Sequence, residues 1–294
     1  MRRHELSDAQ WELIADRMPR SGLRGGGRWR DHRWVVNGLM WKLCTSAQWR
    51  NLPERYGPWQ TVYERLTRWR REGLFDMILD RLRLKLNAEG LIDLDLWCID
   101  STSVRASRTA AGARKKGNPQ EPDDHALGLS RGGSGTKIHL VSDGVGLPLA
   151  FSLTPGQRHE VPVFETTLRA VRLPNPRDRP RTRPKYLAGD KAYSYRPVFH
   201  SLRQHHIRPV IPPRTGGNMG KGCARAFDPD LYRRRNVVER CVGWLKGCRS
   251  IAARHEKLAI NFAAMIKLAF MRQYCGPSGR QRGSRWIELA CINK

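Results

Sequence analysis

The apolar periodicity of this 294-residue chain changes once, near Gly90, and that change limits the fold more than any other feature. Before it, apolar residues recur every three or four positions, the spacing of helices packed along one face. After it, short apolar runs alternate with helical stretches, and two of the runs close on an aspartate. The pattern predicts an all-helical module over residues 1–90 and an α/β domain over residues 91–275, a mixed sheet flanked by helices. Residues 276–294 read as an appended tail.

The first module carries its own punctuation. Ser7-x-x-Gln10 is a capping-box pattern, with Leu6 and Trp11 placed as its hydrophobic staple. Trp11, Ile14, Ala15 and Met18 follow at helical spacing, and Pro19 stops the run. A Gly/Arg loop separates it from a second helix near Asp31, with Trp34, Val35, Gly38, Leu39 and Leu43 inward. A third helix starts near Pro58. Trp59, Val62, Tyr63, Leu66 and Trp69 form its apolar stripe, and Arg65, Arg68 and Arg71 its basic side. A fourth runs from Leu74 to about Leu86. A basic helix in a small helical module fits a helix-turn-helix-like DNA reader. The plainer alternative is a solvated charged face.

In the second part, LDLWCID is a short strand-like run ending at Asp100. The polar stretch from Arg105 to Gly135 reads as a loop. TKIHLVSD, a turn at Asp143-Gly144 and LPLAFSLTPG make a hairpin. EVPVFETTLRAV is helical, PNPRDRPRTRPK is a linker, and KYLAGD is a strand ending at Asp190. A helix in VFHSLRQHH, a strand in RPVIPP and helices over 237–248 and 260–274 complete the order. Acids at strand ends lie where open α/β sheets bind ligands.

Charge narrows the partner. Lys and Arg number 54 against 27 Asp and Glu, a net +27. Such a field suits a partner dense in phosphate, and double-stranded DNA is the expectation. RNA is disfavoured because no aromatic ribonucleoprotein motif is present. None of the seven cysteines forms a C-x-x-C pair. Neither a zinc module nor a disulfide framework is expected, and a cytoplasmic protein with reduced thiols is. The N-terminus lacks a signal-like apolar region, and Asn261 and Lys267 interrupt a segment too short to span a membrane.

Three acids, Asp100, Asp190 and Glu239, stand on elements that a mixed sheet can bring together. Three converging carboxylates repel one another unless cations neutralise them. All-oxygen ligands favour Mg²⁺ or Mn²⁺. Two such ions roughly 3.5–4 Å apart activate and stabilise the oxygens exchanged in phosphoryl transfer. Taken singly, each acid reads as well as a cap or surface residue. Tyr232, Arg235, Glu239, Val242 and Lys246 follow at steps of 3, 4, 3 and 4, one helical face. Arg235 and Lys246 would flank the acid and clamp phosphate. Arg235 and Glu239 also fit an ordinary i,i+4 pair.

Tyr232-x2-Arg235-x3-Glu239-x6-Lys246 resembles the Y-(2)-R-(3)-E-(6)-K signature of DDE transposases of bacterial insertion sequences. SRGGSGTKIHLVSDGVGLPL, TPGQRHE and the N-terminal LSDAQWELI segment resemble the insertion-sequence-5 family, over residues 5 to 272. The resemblance implies a ribonuclease H-like catalytic fold with Asp100, Asp190 and Glu239 as metal-binding triad. Arg235 and Lys246 would touch the transposon end, and Tyr232 fills the motif's first position. The implied reaction is metal-dependent cleavage at the element's terminal inverted repeats. The freed 3′-hydroxyl then joins target DNA in a self-associated synaptic complex. Two features depart from the family: the tail after Tyr274, and His255 where an aromatic such as Tyr is expected.

Other motifs carry less. RGGSGTK misses the phosphate-loop spacing, because Thr136 separates Gly135 from Lys137. A turn with Lys137 and Arg131 near the DNA backbone is preferred. Asp123, Asp124 and His125 read as solvated loop. Ser101 and Thr102 lack a paired base, which disfavours a covalent serine mechanism. Two rival functions remain: a DNA-binding derivative with a dead site, and a metal-dependent nuclease of the same fold without strand joining.

Overall fold

A computed structural model of the chain describes residues 3–19, 31–113, 119–130, 132–175, 179–213 and 227–276. The Gly/Arg loop at 20–30, residues 114–118 of the polar stretch, Arg131, residues 176–178 of the linker and the tail from 277 lie outside the described residues.

Local capping chemistry sets the first module. Ser7 and Gln10 exchange the two hydrogen bonds of a capping box, at 2.9 and 3.2 Å, and start α1, Asp8–Ala15. Asp31 accepts from the Arg33 amide at 2.9 Å and starts α2, His32–Thr45. α3, Trp59–Arg71, follows Pro58 and buries Val62, Leu66 and Trp69. α4, Leu74–Ala88, follows Gly73.

The sheet is built on β1, Leu96–Ala106. The chain continues through α5, Arg108–Ala111, β2, Gly128–Ser130, β3, Gly133–Asp143, and β4, Pro148–Pro155. Then come α6, Val161–Arg169, β5, Tyr186–Ala188, α7, Arg196–Gln204, and β6, Arg208–Val210. α8, Pro229–Arg234, α9, Asn236–Gly247, α10, Arg249–Ala252, β7, Ala253–Arg254, and α11, Ala259–Tyr274, end the described chain. β4, β3, β1, β5 and β6 lie side by side, antiparallel from β4 to β1 and parallel from β1 to β6. β2 joins the start of β3, and β7 joins the far end of β1. This is the mixed sheet flanked by helices that the sequence predicts.

Three local expectations need correction. β1 does not stop at Asp100 but runs six residues further, because Asp100 to Arg105 stay in register with Leu140 back to Gly135 of β3. The stretch from Arg105 to Gly135 is not all loop; α5, β2 and the start of β3 lie within it. The face from Tyr232 to Lys246 is not one helix, since α8 ends and α9 begins at Arg235.

One continuous buried cluster links the module to the sheet, from Leu6 and Ile14 through Trp69 and Trp97 to Phe270. α11 packs on α4, α2, α3 and β4, and α10 packs on α2. The Ser250 hydroxyl donates to the Lys42 carbonyl at 2.8 Å. Fully buried Arg254 donates to Thr136 Oγ1 at 2.6 Å and to three backbone carbonyls. Glu121 caps α11 through the amides of Ala259 and Ile260, at 2.6 and 3.1 Å. Buried groups satisfied this fully hold the 119–127 segment against the helical layer. Among the described residues, no helix is long and apolar enough to cross a membrane.

Candidate active site

On its β5 side, β1 is paired, among the described residues, only at its two ends. β5 covers Leu96 to Cys98 and β7 covers Arg105 and Ala106. The strand edge between them is open, and α9 packs over β1 and β3. Such a divergence of parallel neighbours is where α/β sheets expose side chains to ligand.

Register explains how two acids meet there. Leu96 lies opposite Tyr186 and Cys98 opposite Ala188. Two residues further along the diverging strands Asp100 and Asp190 stand at corresponding positions, and the Asp190 charge reaches Asp100. β5 ends first, and Asp190 turns the chain by accepting from the Ala192 amide at 3.0 Å, as cap of the 3₁₀ turn Lys191–Tyr193. Asp100 Oδ1 accepts from the Ser101 amide at 2.7 Å. Asp100 Oδ2 lies 3.6 Å from Arg235 Nη1, and Arg235 Nη2 pairs with Glu239 Oε1 in the first turn of α9. Arg235 therefore bridges two of the acids, with only 14% of its side chain exposed.

The electrostatics agree with the geometry. Burial pushes the Asp100 carboxyl up to about 6. The Ser101 amide and the Arg235 charge work against that rise, and the charges of Asp190 and Glu239 add to it. All three acids thus act on one point. Among the described residues, no group of three His, Cys, Asp or Glu side chains is arranged to hold a metal ion as it stands. The donor set is nonetheless all oxygen, partly desolvated at Asp100, and neutralised locally by Arg235. By its chemistry it fits a hard divalent cation.

A fourth carboxylate escaped the sequence reading. Glu160 accepts from Ser101 Oγ at 3.0 Å and from Lys137 Nζ at 2.9 Å. Burial alone would raise Glu160, but Lys137 and Ser101 hold its carboxyl below the usual range. Lys137 is 14% exposed and is engaged by this acid. Glu160 ends the TPGQRHE motif, but its partners depend on the pairing of β1 with β3.

The remaining predicted residues divide by location. The Tyr232 ring lies 5.6 Å from the Arg235 guanidinium and 5.2 Å from the Phe227 ring. Arg234 pairs with Asp93 at 2.6 Å. Lys246 Nζ donates to the Ser103 carbonyl at 3.3 Å, on the open edge of β1. On α3, Arg71 is exposed, Arg68 pairs with Glu72 at 3.3 Å, and Arg65 is half-buried. Asp123 and Asp124 are exposed, and His125 is buried against Glu121 at 2.8 Å.

The sequence matches the family described as a transposase DDE domain over residues 93–273. The chain belongs to the DDE transposases. Residues 6–79 match the family described as a transposase of the IS4/5 family (DUF4096). The transposase for insertion sequence element IS402 of Burkholderia cepacia is 31% identical over 160 residues, 53% of this chain and 69% of that relative. The y4sN protein of Sinorhizobium fredii is 38% identical over 111 residues, 37% of this chain and 83% of that protein. A solved structure, the Mos1 strand transfer complex, aligns over 92% of this transposase and 79% of that chain. The identity over that alignment is 14% and the TM-score 0.30. A DDE domain in an insertion-sequence transposase implies a DNA-cleaving and DNA-transferring enzyme that uses divalent metal.

Proposed function

We propose that this transposase binds the terminal inverted repeats of its own insertion sequence, cleaves a phosphodiester at each end and joins the freed 3′-hydroxyl to target DNA. Residues 1–90 contribute DNA-end recognition, and residues 91–275 carry the chemistry. The observation that carries the reading is the convergence of charge at Asp100, where Asp190 and Glu239 act on it from separate elements and Arg235 spans the gap.

Asp100, Asp190 and Glu239 would hold Mg²⁺ or Mn²⁺, two ions, supplying Lewis-acid activation of the attacking oxygen and neutralisation of the leaving one. The chain's own groups position the DNA. Arg235 is the cation nearest the acids, and its planar fork suits a phosphate at the scissile bond. Lys246 lies further along α9, where the backbone of the reacting strand would pass. Tyr232 holds Arg235 by stacking. Arg65, Arg68 and Arg71 give the first module its DNA-facing charge. Lys137 serves Glu160 beneath the site and contributes to DNA binding through the field more than by contact.

Two element ends must be held together for joining, so the protein self-associates in a synaptic complex, within the cytoplasm and on nucleoid DNA. The test is strand transfer with a pre-cut end oligonucleotide and a supercoiled target. Metal-dependent joined product is the expected outcome. Nicking without joining favours a nuclease, and neither activity favours a DNA-binding derivative.

A further inference from the structure

The Tyr193 hydroxyl is buried and has no hydrogen-bond partner among the described residues. Tyr193 closes the 3₁₀ turn capped by Asp190 and is 1% exposed. The Phe164 ring packs at 6.0 Å, tilted against it. Gly189 packs close on the other side. A Cβ there would come within 3.2 Å of Tyr193 Cδ2 and 3.3 Å of Ile99 Cγ2, tighter than most Cβ contacts, so the ring or the strand side chain would have to give slightly. Glycine at this position therefore lets the ring lie directly against β1.

A buried hydroxyl without a partner costs about 1–3 kcal/mol, and such groups call for an explanation. The charges that reach Tyr193 are those of Asp100, Glu160 and Asp190. Burial, then those three charges, push the phenol well above its ordinary range, so it stays an O–H donor. Glu160 already accepts from Lys137 and Ser101, and Asp190 accepts from the Ala192 amide. Asp100 likewise accepts one amide, from Ser101, and faces Arg235 at 3.6 Å, so lone pairs remain on Asp100 as on Asp190, and of the three charges that of Asp100 bears most strongly on the phenol.

We propose that Tyr193 is a positioning residue for the divalent cation: its hydroxyl donates to the Asp100 carboxylate in the loaded site and fixes the orientation of that ligand. The proposal rests on the reading of Asp100 as a metal ligand. A carboxylate that binds an ion keeps free lone pairs, and a donor on them holds it in place. Tyr193 offers that donor from a ring packed against Phe164 and Gly189.

Tyr193→Phe removes one oxygen and keeps the ring. The full chain is compared with this variant and with Asp100→Asn in two measurements: thermal melting in EDTA, and Mn²⁺ titration followed by the paramagnetic resonance of free Mn²⁺. The expected result is a metal-free melting temperature unchanged or raised in Tyr193→Phe, with Mn²⁺ affinity weakened about tenfold. Asp100→Asn should lose the same Mn²⁺ site. Wild-type Mn²⁺ affinity in Tyr193→Phe, with the site lost in Asp100→Asn, overturns the role of Tyr193 alone. A lowered metal-free melting temperature in Tyr193→Phe also overturns it, by giving the hydroxyl a partner in the free fold. Wild-type Mn²⁺ affinity in Asp100→Asn overturns the underlying reading, and the Tyr193 proposal with it.

Discussion

Two helical segments of this transposase are rich in arginine, and they use it differently. On α3, Arg68 pairs with Glu72 one turn on, Arg71 lies at the surface, and the helix packs by its apolar stripe. Across α8 and α9, Arg233 pairs locally with Asp230, but Arg234, Arg235 and Lys246 each reach a segment far away in sequence. Arg234 holds Asp93, Arg235 spans Asp100 and Glu239, and Lys246 caps the Ser103 carbonyl on the open edge of β1. The first arrangement leaves charge for an outside partner. The second ties a helix to a sheet around an acid cluster. The same residue type at similar density thus stays at or near the surface of one helix and joins an acid cluster in the other.

The sharpest separation should come from the acids that α9 faces. Asp100→Asn, Asp190→Asn and Glu239→Gln are each expected to cut end cleavage by about a thousandfold or more, several kcal/mol of charge stabilisation. Gel-shift affinity for the end should stay near wild type. Arg235→Gln comes next, at roughly a hundredfold in cleavage, the size expected for a charged hydrogen bond lost near the reacting phosphate. If Arg235→Gln lowers binding and leaves the cleavage rate of bound complex untouched, the two segments do not differ in kind.

Metal-free stability gives a third contrast. The Asp100 carboxyl sits at about 6, above its ordinary 3.8. A raised acid favours the folded state only while protonated, so this contribution is present at low pH and is lost as pH rises from about 4 through 6. In EDTA at pH 7.5, Asp100→Asn should therefore melt above wild type, by up to roughly 3 kcal/mol. The gap should close toward pH 4. A variant less stable than wild type at pH 7.5 would mean that the Arg235 contact outweighs desolvation.

Smaller effects test the α3 side. Replacing Arg65, Arg68 and Arg71 with Gln should lower affinity for terminal repeats and reduce the slope of log affinity on log salt by about 2–3. The cleavage rate of saturated complex should change little. Lys246→Ala should shift that slope by about 1. A cleavage defect larger than the binding defect in the α3 variant would remove the distinction drawn between the two helices.

What was legible in the sequence follows from range. Ser7 with Gln10, Asp31 before α2 and Pro58 before α3 are chemistries among neighbours, and the helix starts follow from them. Asp100 and Asp190 were legible as acids closing apolar runs, and Glu239 through the signature around it. The continuation of β1 past Asp100 was not, because Ser101, Thr102 and Ser103 are small and polar and are held as strand only by their partners in β3. The contacts of Glu160, which ends the TPGQRHE motif, and of Tyr193 were not legible for the same reason. Their surroundings come from the pairing of β1 with β3 and β5, and no local periodicity encodes that. The break at Arg235 was missed because i,i+3 and i,i+4 spacing survives a junction whose residue keeps helical dihedrals.

The central claim is that three carboxylates from separate segments share divalent metal. Anomalous scattering from Mn²⁺ in crystals of the full chain bound to a pre-cut transposon end tests it directly. The account predicts manganese peaks within about 2.5 Å of carboxylate oxygens of Asp100, Asp190 and Glu239. Manganese bound elsewhere on the protein, with Arg235 still seated between Asp100 and Glu239 in the DNA-bound state, would contradict it.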